Sequence, residues 1–226
     1  LKIPSVEQES VDSNSLLLKN RVNNKVVYSK AKRSIDIIGA VLGLLILLPI
    51  FLVVGIFIKI EDPKGPIFFK QVRVGKDGSE FYMYKFRSMV TDAEQKLAEL
   101  LTLNQVSGPM FKMKNDPRVT KIGRFIRKTS IDELPQLWNV LRGEMSLVGP
   151  RPPLLREVNE YTDYQMQRLL VTPGCTGIWQ ASARSSVGFE EMVEMDLYYI
   201  RNRNLFLDFK IILKTVTVFL GSKNAF

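Results

Sequence analysis

The chain contains no histidine. That absence excludes Ser-His and Cys-His catalysis, imidazole metal sites and acid–base chemistry at an ordinary imidazole. Cysteine is nearly absent as well. Cys175 stands alone, so no intrachain disulfide and no cysteine-based zinc site can form. A single thiol fits a reducing compartment. Acids are in deficit: 23 Asp and Glu face 32 Lys and Arg, a formal charge of +9. The excess favours anionic partners such as nucleotides, nucleic acid or phospholipid headgroups. Internal repeats are also lacking. With 226 residues, 46% of them hydrophobic, the chain can still build one large or two small cores.

What is present begins with a long apolar run. Residues 1–29 are polar and aperiodic and read as a linker or tail. Then comes "KAKRSIDIIGAVLGLLILLPIFLVVGIFIKIEDPKG", in which no residue from Ile37 to Ile58 is charged. As a helix that run is roughly 33 Å long, about one hydrocarbon thickness. It is too long and too internal for a signal peptide. Pro49 sits near its centre, where it removes a backbone hydrogen bond and bends a helix. Lys25, Lys30, Lys32 and Arg33 flank one end, and Lys59, Lys64 and Lys70 the other. Positive charge on both flanks places both on the cytoplasmic side. A helix over 30–60 that either spans the membrane or enters and leaves by one face accommodates the run.

Downstream, "IFFKQVRVG" and "EFYMYKFRSM" read as strands of a hairpin around "KDGS". "TDAEQKLAELLTL", "RVTKIGRFIRKTS", "DELPQLWNVLRGE" and "PPLLREVNEYTDYQMQRLL" read as helices. "VTPGCTGIWQASARSSVGF" reads as a Gly/Ser-rich loop, and two closing helices follow. The expected fold is α+β and mostly helical, with a small β-hairpin.

Asp132 and Glu133 sit side by side in the most basic part of the chain. Ser130-x-x-Glu133 fits a capping box. Alternatively Asp132 itself caps a helix whose first turn holds Pro135, where a missing N–H costs nothing. A capping role and a chemical role both remain open at this level. From Phe111 to Lys128 the cations are Lys112, Lys114, Arg118, Lys121, Arg124, Arg127 and Lys128, against Asp116 alone. Such a face suits anionic headgroups. Arg151 sits in the proline-locked "GPRPP", a stiff mount for a guanidinium aimed at phosphate. Lys85 and Arg87 of "KFRS" are two apart at a strand end and so share a face. Little aromatic residue interleaves the basic segment, which argues against nucleic acid as partner.

Several stretches, in order, carry a resemblance: "KRSIDIIGAVLGLLILLPIFL", "YKFRSM", "GPMFK", "DPRVTKIGRFIRKTSIDELPQLWNVLRGEMSLVGPRP", "PGCTGIWQ" and "DLYYIRNRNLFLDFKIILKT". From about Lys32 onward the chain resembles the bacterial polyprenyl-phosphate sugar-1-phosphate transferases, the monotopic phosphoglycosyl transferases. The resemblance implies a proline-broken, re-entrant membrane helix and several amphipathic interfacial helices. Residues 61–226 then form a catalytic domain on the cytoplasmic face of the bacterial inner membrane, in contact with its phospholipid. It implies transfer of a hexose 1-phosphate from a UDP-hexose to undecaprenyl phosphate with release of UMP and with Mg²⁺. That is the first membrane step of exopolysaccharide, capsule or O-antigen synthesis. Asp132 and Glu133 match the family's catalytic dyad, with Asp132 as nucleophile of a ping-pong mechanism and the metal held by Asp132, Glu133 or both. A helix N-terminus would lower the pKa of Asp132. By the same resemblance Arg151 is a phosphate ligand, and Lys85 and Arg87 line the site. Arg118 joins them as a ligand or a structural residue. Gln180 and Arg184 face the nucleotide sugar. The sequence departs from the family pattern at Ala183, where glycine is usual, and at Cys175, which reads as a small hydrophobe. "GPMFK" and "LGSKNAF" resemble members that take glucose or galactose, which usually carry further membrane helices ahead of this unit. A homodimer is compatible with the resemblance. The rival expectation is a non-enzymatic scaffold that binds anionic lipid.

Overall fold

The computed structural model describes residues 18, 20, 22, 24–100, 113, 115–182 and 188–221. "GPMFK", the "LGSKNAF" ending beyond Gly221, Ala183 and Arg184 lie outside the described residues. The first long element is helix α1, Val26–Glu61. Strands β1 (Phe68–Val74) and β2 (Glu80–Phe86) form the antiparallel hairpin read from the sequence. Helices α2 (Ala93–Leu100) and α3 (Lys121–Lys128) follow. A 3₁₀ turn at Ile131–Glu133 leads into α4 (Gln136–Arg142). Next come β3 (Ser146–Val148), α5 (Leu155–Val158), α6 (Asp163–Met166) and a 3₁₀ turn at Gln167–Leu170. Strand β4 (Gly174–Thr176) pairs parallel with β3, and α7 (Ile178–Ser182) leads to the closing helices α8 (Phe189–Asn202) and α9 (Leu205–Gly221).

Two expectations change. The single helix read over "PPLLREVNEYTDYQMQRLL" is three short pieces, because Thr162 caps a new start at α6 with its hydroxyl and Gln165 answers from the third position. The loop read over "VTPGCTGIWQ" contains β4 and α7. Glycine makes that pairing possible. A Cβ on Gly174 would lie 2.0 Å from the backbone nitrogen of Gly149, so only glycine lets the two segments meet.

Helix α1 is long and apolar enough to cross a membrane. It continues through Pro49 as one helix, so the expected proline break does not end the element. One lost i→i−4 bond is outweighed by intact turns on either side. Its middle faces outward, with Leu45 and Ile46 65% and 72% exposed. Both of its ends pack on the same body. At the start, Tyr28 donates to Asp208 and the Asp36 carboxylate accepts from the Leu147 N–H at 3.0 Å. Gly39, Ala40 and Gly43 leave a flat face against which Leu147 and Leu137 pack. At the far end, Val54 and Ile58 are buried with Phe86 and Ile126, and the Glu61 carboxylate accepts from the first two N–H groups of α3.

The largest core cluster joins α8 to β3, α7 and α9, through Val148, Ala181, Val193, Leu197 and Ile211. Within it a buried ion pair connects α8 to the Gln167–Leu170 turn. Arg168 and Asp196 have side chains 2% and 1% exposed, at 2.8 Å. Arg168 also donates to Tyr161 and to the Arg151 carbonyl. Removing one partner of such a pair leaves a buried, uncompensated charge. Asp196→Ala is expected to destabilise the fold by about 3–5 kcal/mol. An apolar double replacement, Arg168→Met with Asp196→Leu, should recover most of that loss. Chemical denaturation in detergent micelles measures both.

Candidate active site

The site is assembled around the short helix α4. Gly143 ends it in the left-handed region at φ 83°, donating its N–H back to Val140. Arg33 of α1 donates to the Val140 and Leu141 carbonyls at 2.6 and 2.8 Å, capping the same end with a positive charge. On its flank, fully buried Asn139 accepts from Tyr84 N–H at 3.0 Å and donates to the Tyr82 carbonyl and the Glu144 carboxylate at 2.7 Å each. The amide thus imitates an extra strand beside β2. It fixes α4, and the turn before it, against the hairpin.

That turn carries Asp132 and Glu133. Pro135 stands at the N-cap position of α4, so its missing N–H is harmless, but the helix begins at Gln136 and Asp132 does not cap it, contrary to the Asp132-start reading. The capping box from Ser130 is not formed. Ser130 lies in the left-handed region at φ 53°, its side chain makes no capping bond, and its carbonyl instead accepts from Glu133 N–H. Asp132 therefore sits in a 3₁₀ turn ahead of α4 rather than at the mouth of a helix.

Glu133 meets Lys85 of β2 at 2.7 Å. Met83 and Lys85 of β2 and Arg73 of β1 share one face of the hairpin, because Gln71 pairs with Met83 and Arg73 with Phe81. A small recess is lined by Arg73, Met83, Lys85, Glu133, Gln136, Arg151, Pro152, Gly174, Cys175 and Gln180. Arg151 arrives there because Gly149 donates to Thr176 and Gly174 to Pro150, which ties "GPRPP" to β4.

The two carboxylates are driven apart. Burial pushes Asp132 up to about 6 against the pull of Lys85, and the Glu133 charge adds to the rise. Glu133 is also penalised by burial, but Lys85, Arg151 and Arg73 outweigh it and draw it down to about 2. The sequence reading of a lowered Asp132 is thus reversed. Asp132 is 8% exposed and lacks a direct cation of its own as close as Lys85 is to Glu133. Cys175, in the same recess, is pushed up by burial and by Glu133 and acts as apolar lining.

Of the residues expected at the site, Lys85, Glu133, Arg151 and Gln180 line the recess; Asp132 does not line it, but lies buried in the adjoining turn where the charges of Lys85 and Glu133 act on it. Arg87 does not line the recess. Strand β2 ends at Phe86, and Arg87 turns to pair with Asp62 at 2.9 Å, in space that only Gly65 leaves open. Arg118 is buried in a two-point pair with Asp116 and donates to the Ala93 carbonyl. Both hold loops rather than face Glu133. Arg184 lies outside the described residues. Sequence reading missed Arg73, 5% exposed, which donates to Gln71 and to the Pro152 carbonyl. Its one signal was alternation: Arg73 shares a strand face with Gln71, and through the hairpin with Met83 and Lys85.

Fold and site together define a mostly helical protein with a membrane-compatible helix, a cationic recess lined by Glu133, and a buried Asp132 in the turn beside it. A family model described as "Bacterial sugar transferase" matches residues 27–222, and the chain belongs to that family. It is 52% identical over 193 residues to the galactosyl transferase CpsE of Streptococcus agalactiae, covering 84% of this chain and 42% of that protein. It is 40% identical over 232 residues to the undecaprenyl-phosphate galactose phosphotransferase of Salmonella typhimurium, covering 100% of this chain and 48% of that protein. It is 38% identical over 200 residues to the exopolysaccharide production protein ExoY of Rhizobium meliloti, covering 87% and 88%. The chain thus spans less than half the length of the first two relatives.

The raised Asp132 has a consequence for stability. In the unfolded chain it titrates near the ordinary 3.8, and in the folded protein near 6. The stability linked to its proton is whole below the lower value and lost as pH rises through the upper one. Asp132→Asn is therefore expected to raise the thermal midpoint at neutral pH. The gain should fade between pH 6 and pH 3.8. Differential scanning fluorimetry across that range reads both the sign and the fading.

Proposed function

We propose that this chain transfers a hexose 1-phosphate from a UDP-hexose to undecaprenyl phosphate, on the cytoplasmic face of the bacterial inner membrane. The observation that carries the reading is the divided dyad. Asp132 keeps a basic carboxylate that is still ionised at neutral pH, and Glu133 stays anionic beneath Lys85, Arg73 and Arg151. An ionised carboxylate of raised pKa is a better nucleophile than an ordinary one. The Asp132 oxygen attacks the β-phosphorus of the UDP-hexose. The bond from that phosphorus to the bridging oxygen breaks, and UMP leaves. An oxygen of undecaprenyl phosphate then attacks the same phosphorus, and the Asp132 carboxylate is regenerated. Lys85, Arg73 and Arg151 offset the charge of the diphosphate.

The donor set suits Mg²⁺. Among the described residues no cluster of three or more candidate ligands occurs. Two adjacent carboxylates are nonetheless the usual protein share of a Mg²⁺ completed by water and substrate phosphates. Asp132 and Glu133 would hold it, and it would neutralise charge developing on the phosphoryl oxygens. Galactose is favoured over glucose, since two of the relatives cited are named for galactose. Re-entry of α1 is supported by the packing of both its ends on one body while its middle stays exposed. The exposed apolar residues Phe125 of α3 and Trp138 of α4 suit the interface with phospholipid.

The test is purified full chain in detergent with Mg²⁺, undecaprenyl phosphate and a panel of UDP-sugars, read as UMP release. Turnover is expected with a UDP-hexose and Mg²⁺. Asp132→Asn should lower turnover at least about a thousandfold. Intact-mass spectrometry should find a hexose-phosphate adduct that this variant lacks. No UMP from any UDP-sugar would refute the transferase and leave the lipid-binding scaffold.

A further inference from the structure

Trp179 in α7 holds a polar atom that the fold does not explain. Its indole Nε1 is buried and has no hydrogen-bond partner among the described residues. Buried polar groups almost always find one, and an indole N–H can only donate. The atom therefore calls for an acceptor that the described residues do not supply to it. A second, independent contact places the ring beside a cation of the recess. The Arg151 guanidinium sits over the Trp179 ring at 5.7 Å from its centroid, within cation–π range. Arg151 lines the recess with Glu133, Lys85 and the neighbouring Gln180, and its charge acts on Glu133. Its backbone is held as well: prolines flank it, and its carbonyl accepts from Arg168. The tryptophan is thus the platform under a fixed cation at the edge of the site. An acceptor next to both groups is best an anionic oxygen, since Arg151 would attract one and the indole N–H would complete its coordination.

We propose that Trp179 is a substrate-binding residue whose ring face orients Arg151 and whose Nε1–H donates to a phosphate oxygen of the nucleotide diphosphate. The inference rests on the transferase reading above for the identity of the ligand, but its first test does not depend on turnover. The chain has two tryptophans. Trp138 is half exposed on α4, and neither tryptophan is among the residues that line the recess itself. Trp138→Phe therefore leaves Trp179 as the only indole emitter in the full chain. UDP and inorganic diphosphate, each with Mg²⁺, are expected to change its emission saturably, and uridine to leave it unchanged. In turnover assays Trp179→Phe keeps a ring under Arg151 but removes the N–H. It should raise KM for UDP-hexose about tenfold, with kcat changed far less and the thermal midpoint preserved. Trp179→Leu removes ring and N–H together and should lower kcat/KM further.

The outcomes separate the two readings. Emission that answers to UDP and to diphosphate in a chain that releases no UMP would uphold the binding role and sink the transferase. UMP release with emission indifferent to UDP, and a wild-type KM in Trp179→Phe, would overturn the role of Trp179. An equal response to uridine would overturn it too, because the donor would then face the base.

Discussion

The site depends on how the seven-residue helix α4 is held. Helices this short have no stability of their own in water. Helix α4 is instead tied to two other elements. Its last carbonyls accept from Arg33 of α1, its flank goes through Asn139 to β2, and Gly143 ends it in the left-handed region. Each bond contributes about 1 kcal/mol net, more where the donor is charged. Together they fix the turn that bears Asp132 and Glu133 relative to the strand that bears Lys85. The 2.7 Å contact between Glu133 and Lys85 is the result.

Chemistry follows from unequal treatment of two adjacent acids. Both are penalised by burial. Only Glu133 is gripped directly by Lys85 and flanked by Arg151 and Arg73, so it keeps its charge at any physiological pH. Asp132 is left with less compensation and the added repulsion of its neighbour. Dividing a pair in this way assigns separate tasks to two carboxylates, one basic and one permanently anionic.

Much of this was legible in sequence. The apolar run, the hairpin and the two closing helices announce themselves by periodicity and by "KDGS". The dyad stood out as acids in a basic neighbourhood. Other features depended on partners that pattern cannot supply. Lys85 and Arg87 share spacing, yet Lys85 meets Glu133 and Arg87 meets Asp62, since the strand ends between them. Ser130 and Glu133 have capping-box spacing, but Ser130 adopts a left-handed conformation that aims its side chain elsewhere. Arg73 carries no motif of its own, and its inward place depends on the hairpin register that sets it on the face of Met83 and Lys85. Strand β4 was hidden in a glycine-rich loop, because its pairing needs an approach to Gly149 from residues remote in sequence.

Membrane attachment and site geometry are not separate properties here. The same turns of α1 that precede the apolar run carry Arg33, which caps α4, and Asp36, which accepts from Leu147 beside β3. Strand β3 in turn pairs with β4 and so sets the loop that delivers Arg151. At its other end α1 presents Glu61 to the start of α3, whose last residues lead into the dyad turn. A helix whose middle is exposed and apolar would tilt or slide freely if only one end were fastened. Fastening both ends to the elements on either side of Asp132 would couple the depth of the helix in any bilayer it enters to the position of the dyad.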